Sequence, residues 1–298
     1  MDNTIAFTGL TKSFGRLPVL RQVGTTIGSG QVVGLFGRNG AGKTTLMRIL
    51  YGMIGPDAGQ ASLLGLDPQA HPVEVRQRVG LVSEECHLYP WMDANALETF
   101  LAPLYPKWDR ELFRRHLASM EVPPDRRVDA LSRGTKRKLM LSLALAAQPE
   151  VLLLDEPLGG LDAVVREQIV TTLIHSLTDH GVTIFLSTHE IEQFAKVCDR
   201  VIILSHGGFL VDRETAALTD QVRRVTATLE HPVEAVPAHP QILSARAHGT
   251  QVEFVLNGFT QETADAILAN WKVREVAVSG LTLPEIFIAF TAGKEEVS

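Results

Sequence analysis

The alternation of apolar and polar positions divides this chain into three stretches. Up to about Gly30, short strand-like pieces alternate with turns, and the turn signals are residues 16–18 and 28–30. From residue 31 to about residue 211, strand-sized apolar runs alternate with segments of helical periodicity. After about Thr219, short strands and two helices alternate without any segment that carries recognisable chemistry. The pattern therefore predicts an α/β domain followed by a smaller α+β unit.

The predicted elements of the α/β stretch are short. The strands cover residues 31–36, 61–64, 80–83, 151–154, 182–187 and 201–204, with a hairpin through residues 207–208 into 209–211. The helices cover residues 46–50, 96–104, 109–120 and 136–147, a helix capped by Asp162 that runs to residue 180, where Gly181 stops it, and residues 190–197. Because three of these helices lie together between about residues 88 and 147, we expect an all-helical insertion there.

The last stretch predicts strands at residues 225–229, 242–247, 252–256 and 273–278, and helices at residues 262–270 and 283–290. We therefore expect one domain over residues 1–218, with its helical subdomain at about 88–147. A small α+β accessory domain is expected over residues 219–298.

Composition and charge narrow the class of protein. The net charge of −6 over 298 residues gives no sign of a general nucleic-acid partner. The two cysteines, Cys86 and Cys198, form no disulfide framework, and a reduced cytosolic setting is the simplest expectation. The first residues lack the features of a signal peptide, and no apolar run approaches the roughly 20 residues that a spanning helix needs. Any membrane span must then come from another chain.

Residues 37–45 are the segment with the clearest chemistry. They read Gly37, Arg38, Asn39, Gly40, Ala41, Gly42, Lys43, Thr44 and Thr45. The segment joins a predicted buried strand to a helix, so several backbone N–H groups and the helix dipole point into one concavity. Lys43 can reach the β- and γ-phosphates of a nucleotide, and the Thr44 hydroxyl can ligate Mg²⁺. The segment predicts a nucleoside triphosphate site.

Two acids follow the apolar strand at residues 151–154. Asp155 stands where a phosphate-loop enzyme has its second Mg²⁺ anchor. Glu156 comes one residue later, where it can polarise the attacking water as a general base. The competing interpretation is a strand end with solvated acids.

With these motifs in order, the chain resembles the ATP-binding-cassette (ABC) ATPases, in particular the stand-alone nucleotide-binding subunits of bacterial ABC transporters. The resemblance covers roughly residues 4–215. Its most diagnostic segment resembles the family's Leu-Ser-Gly-Gly-Gln signature and reads Leu131, Ser132, Arg133, Gly134 and Thr135. In the family this segment meets the γ-phosphate of the ATP that the partner subunit holds. The segment departs from the family's pattern at two positions, since Arg133 replaces a usual Gly and Thr135 a usual Gln.

A basic cluster lies at the signature segment. It consists of Arg133 within the segment and of Lys136, Arg137 and Lys138 directly after it. Cations at a helix N-terminus are unfavourable by roughly 0.3–1 kcal/mol each unless an anion lies nearby. Two interpretations stay open, a partly functional cluster and a solvated basic helix face.

The resemblance also assigns roles to His189 and Glu84. His189 matches the family's switch histidine, which hydrogen-bonds the γ-phosphate, although it could also be a simple helix-capping histidine. Glu84 stands where the family usually has a Gln that touches Mg²⁺ and the water. A carboxylate can still ligate Mg²⁺, but it adds negative charge beside the γ-phosphate.

Two further positions match the family's interfaces. Gly160, Leu161 and Asp162 match a loop that crosses the dimer interface, and Asp162 can serve as a helix N-cap at the same time. Phe14 matches the aromatic residue that stacks on adenine, although a core position is a serious alternative.

The resemblance implies an α/β fold, with a P-loop NTPase core, an N-terminal antiparallel β subdomain, a helical insertion and a small C-terminal α+β appendage. It implies an ATPase with ATP and Mg²⁺ as ligands. It would act as a homodimer, or as a heterodimer with a similar ATPase, on an integral-membrane permease at the inner face of the cell membrane. The aromatic residues at 87–92 would then receive a permease helix, or else be buried in the insertion.

Residues 282–287 resemble a segment near the end of export-type subunits, so export is expected over import. The alternative is an ABC ATPase that acts on nucleic acid or the ribosome. A phosphate-loop kinase or GTPase would leave the Ser132 segment unexplained.

Overall fold

The computed structural model describes residues 3–292, apart from the side chains of Asn3 and of residues 176–180. The chain separates after Asp212 into two compact units, somewhat before the boundary expected at residue 218. Residues 1, 2 and 293–298 of the two expected domains lie outside the described residues. Among the described helices, none is long and apolar enough to cross a membrane.

An antiparallel sheet opens the first unit. Its strands are β1 (Asn3–Phe14), β2 (Leu17–Gly28) and β4 (Ala58–Leu63), in the order β2-β1-β4. The first turn lies at residues 15–16, earlier than the expected residues 16–18, because Gly15 adopts a φ of +60°. Pro18 is paired within β2, and β2 is an edge strand, where a missing N–H is tolerated.

The central sheet of this unit has six strands in the order β5-β6-β7-β3-β8-β9. They are β3 (Val32–Phe36), β5 (Val79–Val82), β6 (Val151–Asp155), β7 (Thr183–Thr188), β8 (Arg200–Ser205) and β9 (Gly208–Glu214). Strands β5, β6, β7, β3 and β8 run parallel. Every residue of β3, β6 and β7 is buried, as expected for central strands of a parallel sheet. The carboxyl ends of β3, β5, β6 and β7 therefore meet at one edge of the sheet.

Four helices belong to this core. They are α1 (Lys43–Leu50), α2 (Pro72–Arg78), α6 (Ala163–His180) and α7 (Ile191–Phe194). The predicted cap of α6 is confirmed, because the Asp162 carboxylate accepts the Val165 N–H at 3.0 Å. Gly181 follows with a φ of +62°, as the predicted stop requires. Helix α7 is shorter than residues 190–197, and α2 was not expected.

The all-helical insertion is confirmed. It contains α3 (Ala94–Leu101), α4 (Arg110–Ser119) and α5 (Arg133–Ala146), with two short 3-10 helices at Ala102–Leu104 and Val128–Ala130. Asp93 and Asp109 cap α3 and α4 by accepting backbone N–H groups at 2.8 Å. Phe113 of α4 is fully buried. Because α5 directly follows Ser132, the insertion carries the signature segment.

The second unit is the expected α+β fold. Its sheet has the order β11-β12-β10-β13 and is antiparallel. The strands are β10 (Val222–Leu229), β11 (Ile242–His248), β12 (Gln251–Asn257) and β13 (Val273–Gly280), and the helices are α8 (Thr215–Gln221), α9 (Gln261–Leu268) and α10 (Leu283–Ala292). Alternate residues of β10 pack with Phe254 and with Ile267 and Leu268 of α9 in one core.

Candidate functional site

The phosphate loop lies between the end of β3 and the start of α1. At its tightest point Gly42 has a φ of +110°, and a Cβ there would lie 2.8 Å from the Val19 carbonyl oxygen, so only glycine fits. Lys43 is the first residue of α1 and is buried. Its Nζ donates to the Gly37 carbonyl at 2.8 Å, so the ammonium group lies inside the loop.

The other loop residues surround this lysine. Gly37 is buried, Arg38, Asn39 and Gly40 are exposed, and Ala41, Thr44 and Thr45 are half-buried. The first-turn N–H groups of α1 point back into the loop, where helix geometry leaves them without intrahelical partners. The arrangement has the charge and the donors to bind phosphate.

The two acids at the end of β6 are buried, so the interpretation as solvated acids is wrong. Asp155 is 3% exposed and accepts a hydrogen bond from the Ser187 hydroxyl of β7 at 2.5 Å. Glu156 is 5% exposed, and its Oε1 lies 3.0 Å from the Lys43 Nζ. Its Oε2 lies 2.9 Å from Nδ1 of His189 and accepts the His189 backbone N–H at 3.3 Å. One carboxylate thus joins the phosphate loop to the histidine.

The histidine follows β7 and is partly open to solvent, with 46% of its side chain exposed. The interpretation of His189 as a helix cap is wrong, because the N-cap residue of α7 is Glu190. The Nε2 side of the ring is left available for a bound group, since Nδ1 faces Glu156.

A small cavity beside the loop brings the three expected Mg²⁺ ligands together. Thr44, Glu84 and Asp155 all line this cavity of about 60 Å³. Hydroxyl and carboxylate oxygens are the donors that Mg²⁺ prefers. Among the described residues, no group of three His, Cys, Asp or Glu side chains could hold a metal ion by itself. The donor set fits an ion that also takes ligands from nucleotide phosphates and water.

The signature segment begins α5. Ser132 is its N-cap, accepts the Thr135 N–H at 3.1 Å, and lies 2.8 Å from the Thr135 hydroxyl. Leu131 is nearly buried, whereas Ser132 and Arg133 are exposed. A Cβ on Gly134 would meet only ordinary contacts within this chain. The exposed side of this helix start is therefore open to a second molecule.

The loop that matches the family's dimer loop contacts the signature segment. Gly160 has a φ of +69°, and a Cβ there would lie 2.8 Å from Nη1 of Arg133. Leu161 is nearly buried, and Asp162 is exposed. Phe14 is 53% exposed, with the Lys12 Nζ 5.7 Å from the ring centroid, so its interpretation as a core residue is wrong.

The sequence alone indicates neither the contact of Ser187 with the site nor that of Arg137. Ser187 binds Asp155, and its only sequence signal is its place before the histidine motif. Arg137 belongs to the basic cluster, but it is 3% exposed and Lys138 is 7% exposed, so the solvated-face interpretation is wrong for both. Arg137 donates to the backbone carbonyls of Glu84 and Glu156.

Comparison with known proteins identifies the family. A family model described as ABC transporter matches residues 20–159. The ABC transporter ATP-binding protein YtrB of Bacillus subtilis strain 168 is 31% identical over 211 residues, which are 71% of this chain and 70% of that protein. The Nod factor export ATP-binding protein I of Rhizobium sp. strain N33 is 32% identical over 98% of this chain and 88% of its own length.

An importer subunit and a solved structure are also similar. The sulfate/thiosulfate import ATP-binding protein CysA of Methylococcus capsulatus strain Bath is 37% identical over 68% of this chain and 61% of its own length. The dimeric structure of a bacterial ABC transporter cassette superposes with a TM-score of 0.64 at 25% identity, over 71% of this chain and 98% of that one. The predicted fold class and family are confirmed: this chain belongs to the ATP-binding proteins of ABC transporters and is an ATP-hydrolysing subunit.

Proposed function

We propose that this subunit hydrolyses ATP as one half of a dimer and thereby powers export through a separate membrane permease. Each ATP would lie between the phosphate loop of one chain and the Ser132 segment of the other. The observation that carries the proposal is the Glu156 carboxylate, which lies within 3.0 Å of both the Lys43 Nζ and the His189 Nδ1. That contact supports the proposal, because it brings the acid together with a cation that would bind phosphate and a histidine that would sense the γ-phosphate.

The chemistry follows from these positions. Lys43 would bind the β- and γ-phosphates, and Glu156 would accept a proton from the water that attacks the γ-phosphorus. His189 would donate to a γ-phosphate oxygen through Nε2 while Glu156 holds Nδ1. A Mg²⁺ ion held by Thr44, Asp155 and Glu84 would neutralise charge on the phosphates.

The exposed groups support a dimer. Phe14, Ser132 and Asp162 are exposed although they carry no evident role within one chain beyond local capping. A stacked adenine would cover Phe14, and the γ-phosphate of the partner's ATP would accept from the N-terminal groups of α5. Both a homodimer and a heterodimer with a similar ATPase satisfy this arrangement.

An aromatic patch on the helical insertion is the surface proposed for the permease. Tyr89, Trp91 and Phe100 are 41%, 62% and 46% exposed. The rings of Tyr89 and Trp91 lie 5.2 Å apart and those of Tyr89 and Phe100 lie 5.6 Å apart, measured between centroids. Exposed aromatic clusters are typical anchors of protein interfaces, and burial inside the insertion does not account for these side chains.

Export and location remain part of the proposal. A relative named for Nod factor export aligns over nearly the whole chain, including the second unit, whereas the similar importer subunit aligns over about two thirds. We place the subunit on the cytoplasmic face of the cell membrane, bound to its permease, with Arg213–Ser298 as an accessory domain. The net charge of −6 supports a protein partner over nucleic acid.

Replacing Glu156 with Gln tests the hydrolytic proposal. The variant keeps the shape of the side chain but removes the base, so we expect turnover to fall by at least about 10²-fold while ATP binding persists. ATP should then accumulate a closed dimer, measured by light scattering after size exclusion. Glu167→Gln, at an exposed position of α6, is the matched control and should behave as the parent. Undiminished turnover in Glu156→Gln would remove Glu156 from this role.

Replacing Trp91 with Glu tests the partner. A charge within the patch should abolish co-purification with a membrane protein and leave basal ATP hydrolysis unchanged, since Trp91 is not one of the residues proposed to bind ATP or to act in hydrolysis. Val73→Glu, an equally exposed apolar position on α2, is the control. Retention of the membrane partner by Trp91→Glu would reject this surface, and recovery of nucleic acid in its place would favour the alternative function.

A further inference from the structure

Arg137 is a buried cation in the second turn of α5. Its Nη2 donates to the Glu84 carbonyl at 2.8 Å, and its Nη1 donates to the Glu156 carbonyl at 2.9 Å. Nη1 also lies 3.2 Å from the Ser83 carbonyl and 3.4 Å from that of Asp155. A guanidinium group at 3% exposure loses its hydration, so these carbonyl dipoles have to stabilise the charge.

These bonds join parts of the chain that are distant in sequence. Arg137 belongs to the helical insertion, whereas Glu84 follows β5 and Glu156 follows β6 in the central sheet. The two carbonyls belong to the two acids that the proposed mechanism places beside the Mg²⁺ ion and the attacking water. One side chain therefore fixes the helix of the signature segment to the backbone of both acids.

The backbone of Glu156 needs such a restraint. Its φ is +49°, in the left-handed region that a residue with a Cβ adopts only at a cost of about 1–3 kcal/mol. Its N–H donates to the Ser187 carbonyl at 3.0 Å, and its carbonyl accepts from Arg137. The peptide groups on both sides of the strained residue are thus held, and the strained conformation directs the carboxylate toward Lys43 and His189.

We propose that Arg137 is a positioning residue, which holds the backbone of Glu156 and Glu84 in register with α5, so that the carboxylate of Glu156 points at the γ-phosphate site. The inference rests on the proposed role of Glu156 as the base. Because Ser132 caps the same helix, a contact of Ser132 with the partner's ATP reaches Glu156 through Arg137 and one turn of α5.

The shape of the guanidinium group is essential to this role. Its planar fork donates in two directions at once, to the loop after β5 and to the end of β6. A lysine ammonium keeps the charge but is a single point that cannot reach both carbonyls with the same geometry. Arg137→Lys should therefore separate charge from geometry, and Arg137→Gln removes both.

The first experiment measures turnover and ATP binding separately on the full chain. We expect kcat to fall at least tenfold in Arg137→Gln, with the dissociation constant for a fluorescent ATP analogue within threefold of the parent, since the phosphate loop is untouched. The kcat of Arg137→Lys should lie between that of Arg137→Gln and that of the parent. Arg114→Gln, at an exposed position of α4, is the matched control. A kcat within twofold of the parent in Arg137→Gln would overturn the proposal, as would a parallel loss of binding and turnover in Arg137→Lys.

The second experiment needs no hydrolysis and separates this inference from the role of Glu156. In Arg137→Lys, the backbone amides of Glu156 and Gly159, which donate to the Ser187 and Glu156 carbonyls, should exchange with solvent at least tenfold faster, whereas those of β3 and of the second unit should not change. Exchange that rises equally throughout the first unit would mean a general loss of stability and would reject a positioning role. The result is decisive even if Glu156→Gln retains turnover.

Discussion

The hydrogen bond between Ser187 and Asp155 gives a stability change that can be worked out from the structure. Ser187 is completely buried, and its hydroxyl donates to the Asp155 carboxylate at 2.5 Å across β7 and β6. Ser187→Ala removes the donor but leaves the carboxylate where it is, at 3% exposure. The acid would then be buried with one hydrogen-bond partner fewer.

The expected loss follows from the charge and the burial. A hydrogen bond to a charged group contributes about 1.5–3 kcal/mol, and a burial this complete leaves no reason to discount it. A loss of about 2 kcal/mol lowers the unfolding temperature of a unit of this size by about 4–8 °C. The same loss raises the population of locally opened strands about 30-fold.

Amide exchange followed by mass spectrometry is the suitable assay, because it reports on β6 and β7 separately from the second unit. We expect about 30-fold faster exchange in the peptides that contain these strands. Ser119→Ala is the control, since the Ser119 hydroxyl is exposed at the end of α4 and donates only to the His116 carbonyl. Exchange within threefold of the parent in Ser187→Ala would show that the bond contributes little to stability, and the reasoning would be refuted.

Two further predictions concern stability in the first unit. Gly59→Ala should lower the free energy of unfolding in urea by about 1–3 kcal/mol more than Gly65→Ala does. Both glycines have a positive φ, but a Cβ at Gly59 would lie 2.4 Å from the Gly9 carbonyl oxygen, whereas one at Gly65 would meet nothing within 4 Å. Equal losses in the two variants would contradict this clash. The hydrogen bond from Arg78 lowers the pKa of Glu150 from its ordinary 4.5, so the pair stabilises the fold above that pH, and the gain is lost as pH falls through the lowered value. Glu150→Gln should then cost under about 1 kcal/mol at pH 7, since the pair is over a third exposed, and this cost should shrink as the pH falls through the lowered pKa of Glu150.

The sequence pattern predicted the elements that contain several buried apolar residues in a row or at regular spacing. Strands β3, β6 and β7 are buried at every position, and the apolar runs within them are visible without any knowledge of the fold. Helices α2 and α8 were missed for the opposite reason. Each has seven residues with a single buried side chain, Val75 and Leu218, and one apolar position cannot establish a period.

At the site, the sequence predicted the residues that belong to local motifs but not the contacts between parts of the chain that are distant in sequence. Lys43, Asp155, Glu156 and His189 lie in short segments that carry their own pattern, so the sequence predicts the first at a helix start and the other three at strand ends. The bond that Arg137 makes to the carbonyl of Glu156 leaves no such trace, because a backbone carbonyl has no residue identity. The basic cluster indicated that Arg137 carries a charge, but the position of α5 over the central sheet determines what that charge contacts.

Gly160 explains how the signature segment accommodates Arg133 in place of the family's usual Gly. Arg133 stands where the family usually has Gly, and its guanidinium occupies the space that a side chain at residue 160 would need, since a Cβ there would lie 2.8 Å from Nη1. The glycine in the adjoining loop therefore leaves room for the larger residue. An unpaired cation at a helix N-terminus is unfavourable by roughly 0.3–1 kcal/mol, and a phosphate beside Ser132 would remove that cost. On the proposed dimer, the substitution thus strengthens the preference of this helix end for the partner's ATP.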